Sequence, residues 1–366
     1  MSLRSKFAIV NKITPQLSTT RALHVFRNIC WSIGTLAVKI KPFQFFNDTL
    51  CPYTLGELLK ILILGGAGFV GKTLVKKITQ SAPDSTIVVV DFDSQRLSHF
   101  NKQVETECFD ITDLKQLKRL FEKHDFTHVF HLAANSDIKA GATSPSADFN
   151  NTFKTSVALA EVLRFHQIDT LFFSSSSAVY GELEEALNSS VKSVRSPISS
   201  YGWAKLGSEM LLDDSSFKNH FRFVNMRFPN VVGDEPTHGL LFDIKTKLDS
   251  DNHHLQVLGD GSQNKPYIHV DELVSIIIRL VLETETFIGD CNIGPKDTIT
   301  VKRIIDIILE ISKLTPIVSW GSDPFGWPGD VSQYSYSENL PDECKGLSVS
   351  TSENAIRTSI RNLWWP

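Results

Sequence analysis

From residue 60 onward, hydrophobic positions fall in a repeating order. Short strand-like runs lie at 61–64, 86–90, 104–109, 128–132, 170–174 and 221–226. Between them are longer stretches, at 72–80, 113–123, 147–165 and 201–212, where apolar residues recur every three or four positions. Continuous short runs predict strands buried on both faces, and the spaced pattern predicts amphipathic helices. Their alternation predicts an α/β fold, a Rossmann-type doubly wound parallel sheet. Past residue 230 the pattern loosens. Two helix-like stretches, 270–282 and 301–314, precede a Pro/Gly/Trp-rich segment at 323–330. The expected organisation is an N-terminal extension (1–59), a Rossmann domain (60–229) and a smaller, mainly substrate-binding C-terminal domain (230–366), some of whose elements return to the sheet. A pocket between the last two would lie at the carboxyl ends of the strands.

The first strand runs into Gly65-Gly66-Ala67-Gly68-Phe69-Val70-Gly71 and then into a helix. Gly65 permits a tight turn, Gly68 lets backbone approach a pyrophosphate, and Gly71 lets helix and sheet pack closely. The helix start adds N–H groups and a positive dipole end. Asp91 ends the second strand, where a carboxylate accepts hydrogen bonds from ribose hydroxyls and repels a 2′-phosphate. The expected cofactor is NAD, with NADP kept open by nearby Arg96.

Tyr201 and Lys205 stand four apart and share one helix face. A free phenol is a weak base at neutral pH, and an adjacent ammonium lowers its pKa. Tyr-xxx-Lys alone is common, but beside a dinucleotide fingerprint it reads as a general base. The fifth strand ends in Ser174-Ser175-Ser176-Ser177, a source of one hydroxyl for a substrate oxygen.

Composition narrows the classes. The net charge of −4 offers no general attraction to nucleic acid or anionic membrane. No run approaches the length of a spanning helix. The five cysteines are scattered, which indicates a reducing, cytoplasmic setting, and the eleven histidines show no metal spacing. Residues 1–47 carry Arg4, Lys6, Lys12, Arg21, Arg27, Lys39 and Lys41 and no acid. That leaves organelle targeting as an alternative to a plain extension.

Taken together, these motifs resemble the extended short-chain dehydrogenase/reductases, specifically the NAD-dependent epimerase/dehydratase family acting on nucleotide sugars. Among them the chain looks like the UDP-glucose 4-epimerases and related sugar epimerases. The resemblance runs from about residue 60 to the C-terminus. It implies Ser176 as catalytic hydroxyl, Tyr201 as base and Lys205 as its partner. It implies cofactor contacts at the glycine loop (Phe69 and Val70 included), Asp91, Asp110, Ile111, Leu132, Ala133, Ala134 and Asn151. Substrate contacts would fall on Ser176, Asn230, Lys265 and Asp330. It also implies a homodimer through the helices at 147–165 and 201–212. The chain departs from the pattern in four places. Lys265-Pro266 replaces Arg-Asp, Trp327 replaces an arginine, Ser136 replaces a lysine, and Leu64 replaces a threonine before the first glycine.

Ser177-Ala178 follow Ser176 where the family's dehydratases carry Asp-Glu. The expected reaction is therefore epimerisation of a nucleotide-diphosphate sugar, at C4 through a 4-keto intermediate. The alternatives are an NAD(P)-dependent reductase or dehydrogenase of a sugar or other small alcohol, and a non-catalytic NAD-binding scaffold.

Overall fold

The structure, a computed structural model, describes residues 59–135, 141, 144–182, 188–189, 193–337 and 340–364. The expectations for residues 1–58 and for Ser136 lie outside the described residues. Everything described belongs to one compact unit.

Seven strands form the main sheet: β1 (Lys60–Leu64), β2 (Thr86–Asp91), β3 (Val104–Cys108), β4 (His128–His131), β5 (Thr170–Ser176), β6 (Arg222–Phe228) and β7 (Gly289–Asn292). Their order is β7-β6-β5-β4-β1-β2-β3, and every pairing is parallel. The chain winds outward from β1 to β3, then returns to the other side of β1 with β4. The switch point lies between β1 and β4, where such sheets open a crevice beyond their carboxyl ends.

Alternate residues of each strand enter separate cores, because side chains alternate between sheet faces. Ile61, Ile63, Val89, Phe130, Phe172, Val224 and Met226 enter one core, with α1 (Phe69–Ser81) and α6 (Val270–Ile278). Leu62, Leu64, Val88, Val90, Val129, Leu171 and Phe173 enter the other, with α2 (Leu114–Lys123), α3 (Lys154–Leu163) and α4 (Ser200–Asn219). A third core joins α5 (Leu240–Ser250), α7 (Val301–Ser312) and α8 (Ser352–Trp364). Trp364 packs against this third core.

The six apolar runs all became strands, with ends shifted by up to two residues. β7, α5 and α8 did not show in the pattern, and two other elements differ from it. β7 reads Gly-Asp-Cys-Asn and carries one apolar side chain, so hydrophobicity does not mark it. It brings a strand of the 230–366 segment into the sheet. α4 runs seven residues past the expected end. Its buried face carries Lys205, Ser208 and Glu209, and this blurs the apolar stripe. The stretch 147–165 is a short helix (Pro145–Asp148), a π turn (Phe149–Phe153) and α3.

Phe172 lies at the middle of β5 with no exposed surface and packs against Phe130. Phe172→Ala is expected to destabilise the fold by about 3–5 kcal/mol, measured by chemical denaturation.

Candidate active site

Gly65, Asp91, Ala133 and Ser176 lie at or just past the carboxyl ends of their strands. Gly65 follows β1 with φ +75, and a Cβ there would lie 2.7 Å from the Ala133 backbone. A glycine is thus required where β1 and β4 part. A Cβ on Gly71 would lie 2.4 Å from the carbonyl oxygen of Gly66, so α1 seats directly on the loop. Gly68 caps α1 without any side-chain hydrogen bond, which leaves the helix start open to an anion. Phe69 packs against Gly233, where a Cβ would come within 3.0 Å of its ring.

Asp91 is buried at the end of β2. One carboxylate oxygen accepts the Ala67 N–H at 3.1 Å, and the other accepts the Asp93 N–H at 3.2 Å. The acid therefore shapes the glycine loop as well as standing where ribose is expected. Arg96 pairs with Asp93 at 3.1 Å. Asp110 accepts from the Thr112 N–H and hydroxyl in the turn after β3, while Ile111 is buried in the core. Leu132 extends the ladder by donating its N–H to Leu64. Ala133 and Ala134 follow it along the crevice. Asn151 is exposed in the π turn, and its neighbour Thr152 makes the inward contact, accepting the Asn135 N–H at 2.9 Å.

The glycine cradle, the open helix start and the acid at β2 fit a dinucleotide. The residues that would hold it are those of the loop, Asp91 and the edge of β4.

Ser199 caps α4 by accepting the Gly202 N–H at 3.1 Å, which fixes the helix start beside β5. Tyr201 sits on its first turn and is hydrogen-bonded by Ser176. Lys205, one turn on, is 2% exposed and donates to the Ser174 carbonyl at 2.5 Å. Its Nζ lies 5.8 Å from the centre of the Tyr201 ring and 4.9 Å from that of Phe173. Burial outweighs the remaining influences on both groups. It raises the Tyr201 phenol above its ordinary value, against the lowering effect of Ser176, and Asp148 adds to the rise. It lowers the Lys205 ammonium to about 7, against the opposing charge of Glu209. Desolvation is the largest influence on the phenol in this pocket, ahead of the lowering expected from an adjacent ammonium.

All four serines have separate partners. The Ser174 hydroxyl donates to the His131 carbonyl at 3.2 Å, and the Ser175 hydroxyl donates to Glu209. Ser176 serves Tyr201, while Ser177 serves Tyr334 and Tyr336. Behind them Arg227, with no exposed surface, donates to Glu209 at 2.7 and 2.8 Å, to the Tyr180 hydroxyl at 3.0 Å and to Asp290 at 2.5 Å. None of Glu209, Arg227, Tyr334 and Asp148 stood out in the sequence. The sole hint was Glu209, one further turn along the Tyr201 helix.

On the C-terminal side, Lys265, Trp327 and Asp330 come together as expected. Lys265 pairs with Asp330 at 2.5 Å, and its Nζ lies 5.5 Å from the centre of the Trp327 ring. Asp330 also accepts the Gly326 N–H at 3.1 Å. Asn230 is exposed at the start of a short strand, Asn230–Val232, that pairs with Tyr267–His269. Among the described residues, no group of three or more His, Cys, Asp or Glu is placed to hold a metal ion, and no helix is long and apolar enough to cross a membrane.

A parallel sheet with a glycine-rich crevice and a Ser-Tyr-Lys set at its edge defines a dinucleotide-dependent enzyme of the short-chain dehydrogenase/reductase kind. The model of the NAD dependent epimerase/dehydratase family matches residues 61–294, and the chain belongs to that family. Its cofactor is NAD. The chain is 28% identical over 269 residues to an uncharacterised UDP-glucose epimerase, YtcB, of Bacillus subtilis, covering 69% of this chain and 82% of that one. It is 28% identical over 241 residues to the UDP-glucose 4-epimerase of Mycoplasma pneumoniae, covering 58% and 69%. Its fold is similar to that of a crystal structure of UDP-galactose 4-epimerase, with a TM-score of 0.72 and 27% identity over 83% of this chain and 98% of that one.

The lysine makes stability depend on pH. Its folded value near 7 lies below its ordinary 10.5, so the unfolded chain holds this proton more tightly. Below pH 7 both states are protonated, and the native state carries the full penalty of a buried ammonium. That penalty fades as pH rises from 7 toward 10.5. Lys205→Met in the cofactor-free protein is expected to stabilise the fold most at pH 6 and to lose that advantage by pH 10, read as urea midpoints across that range.

Proposed function

We propose that the chain inverts C4 of a nucleotide-diphosphate sugar through a transient 4-keto sugar. The observation that carries this is the placing of Ser176, Tyr201 and Lys205 around one point at the sheet edge, beside the glycine crevice. Bound NAD supplies a hydride acceptor that gives the hydride back, together with positive charge near the phenol. Tyr201 takes the 4-hydroxyl proton, directly or through Ser176, and returns it to the same oxygen. Ser176 holds that oxygen while it is a ketone. Lys205 stands behind Tyr201, fixed by Ser174, and its charge favours the phenolate. The sugar turns over between the two transfers, so the opposite face receives the hydride. Lys265, Asp330 and Asn230 are proposed to hold the nucleotide-diphosphate end. The 3₁₀ turn Ser177–Val179 after Ser176 presents no carboxylate of its own, which favours epimerisation over dehydration.

Purified protein with catalytic NAD and a panel of UDP-, GDP- and dTDP-sugars tests the reading. A C4 epimer without net NADH is expected. Steady NADH change would mean a reductase or dehydrogenase, and NAD binding without any turnover would mean a scaffold. Tyr201→Phe is expected to abolish epimerisation, a loss of at least about 10²-fold, with NAD affinity retained.

A homodimer and a cytoplasmic setting are part of the same proposal. Trp203, Met210 and Phe217 are spaced by seven along α4 and are 58%, 63% and 78% exposed. Trp203 lines an apolar groove with Phe149 and Phe153, and Met210 and Phe217 are exposed further along the same helix, supporting a two-fold helix contact. The double variant Trp203→Glu/Met210→Glu is expected to sediment as a monomer where the parent sediments as a dimer. Cys291 and Cys344, both buried free thiols, agree with a reducing compartment.

A further inference from the structure

Asp148 ends the short helix Pro145–Asp148 and is 1% exposed. One carboxylate oxygen accepts from Asn135 Nδ2 at 2.8 Å, in the segment that follows β4. The other accepts from the Ser200 hydroxyl at 2.5 Å, at the first residue of α4. The carboxylate thus clamps the edge of β4 to the start of the helix that carries Tyr201 and Lys205. Both of these donors are neutral. The carboxylate also opposes ionisation of the Tyr201 phenol. A role that uses its charge and its two bonds together accounts for its presence.

We propose that Asp148 is a positioning residue for Tyr201, anchoring the start of α4 to the segment after β4. Its charge, which opposes ionisation of the phenol, supports that role. This rests on Tyr201 as the base of the proposed reaction. The phenol is faced by Asp148 from the turn before α3, by Ser176 from β5 and by Lys205 from its own helix. Lys205 is in turn influenced by Glu209, which Arg227 pairs, and lies near His131 on β4. Burial, aided by the Lys205 charge, holds His131 neutral down to about 3, so it does not titrate together with the phenol.

The test is a spectroscopic titration of NAD-loaded protein, following tyrosinate absorbance. Subtracting the matching Tyr201→Phe protein isolates the Tyr201 signal. Asp148→Asn is expected to lower the midpoint by about one pH unit, because a negative charge has gone. Ser200→Ala keeps the charge and is expected to leave the midpoint in place. In the same samples, Ser200→Ala should speed amide exchange across residues 199–203 by about tenfold. An unmoved midpoint in Asp148→Asn overturns the charge role, and unchanged exchange in Ser200→Ala overturns the anchor. If Asp148→Asn does not fold, the Ser200→Ala exchange decides the proposal by itself. Turnover by Tyr201→Phe is read separately. If that variant still epimerised, the base assignment would fail, whatever Asp148 does. If Tyr201 is essential and the midpoint does not move, only the role of Asp148 falls.

Discussion

All seven strands of the sheet run in the same direction, and the working parts of the molecule depend on that constraint. A parallel sheet puts every carboxyl end at one edge, and the α1 helix leaving that edge starts there with its N–H groups facing outward. Gly65, Asp91, Ala133 and Ser176 are far apart in sequence, yet each sits at or just past the end of a strand. Registered pairing brings these ends together: Leu64 lies opposite His131 in one ladder and opposite Val90 in the next. The crevice opens between β1 and β4 because the chain reverses its winding there. A side chain at Gly65 would close it against the Ala133 backbone.

The catalytic helix adds a second constraint, the burial of charge. Lys205 is almost fully enclosed, and enclosure disfavours its charged form. Glu209, one turn on, opposes that effect. Glu209 is in turn held by Arg227, which also engages Asp290 and Tyr180. Removing one member of such a network leaves a buried charge unpaired, commonly at about 3–5 kcal/mol. The network therefore couples the electrostatics of the site to the packing of β5, β6 and α4. The phenol and the ammonium both stand away from their solution values, in directions that suppress charge. A cationic group arriving beside them changes that balance in favour of phenolate.

How far the sequence disclosed this differs by element. The glycine loop was legible because its geometry admits little else: φ +75 at Gly65 and near-contact at Gly71 can be met only by glycine. Tyr201 and Lys205 were legible because helical spacing alone puts them on one face. The serine run was legible as a hydroxyl cluster, but its division of labour was not. Ser174, Ser175, Ser176 and Ser177 turn to His131, Glu209, Tyr201 and the two tyrosines Tyr334 and Tyr336. Those partners come from other strands and helices, and no local pattern encodes the pairing. Asp148 was hidden for the same reason: its partners lie 13 and 52 residues away. β7 was hidden for another, since Gly-Asp-Cys-Asn has a single apolar side chain, Cys291, and is held in the sheet largely by backbone pairing.

The C-terminal side of the site shows what the chain's departures from its family pattern do physically. Lys265 is neutralised by Asp330 at 2.5 Å, with both side chains largely buried. Trp327, standing where an arginine is usual, adds an aromatic face and an N–H but no charge. On the epimerase reading, a diphosphate seated there meets little uncompensated positive charge. It must share the lysine with the aspartate, and Lys265 holds its anion as a point charge without a guanidinium fork. Recognition at this end then leans on shape, on directed N–H groups and on the indole surface more than on long-range attraction. Such a site gains little from electrostatic steering and loses little to salt. Discrimination between nucleotide sugars would fall to the groups that touch the sugar and the base.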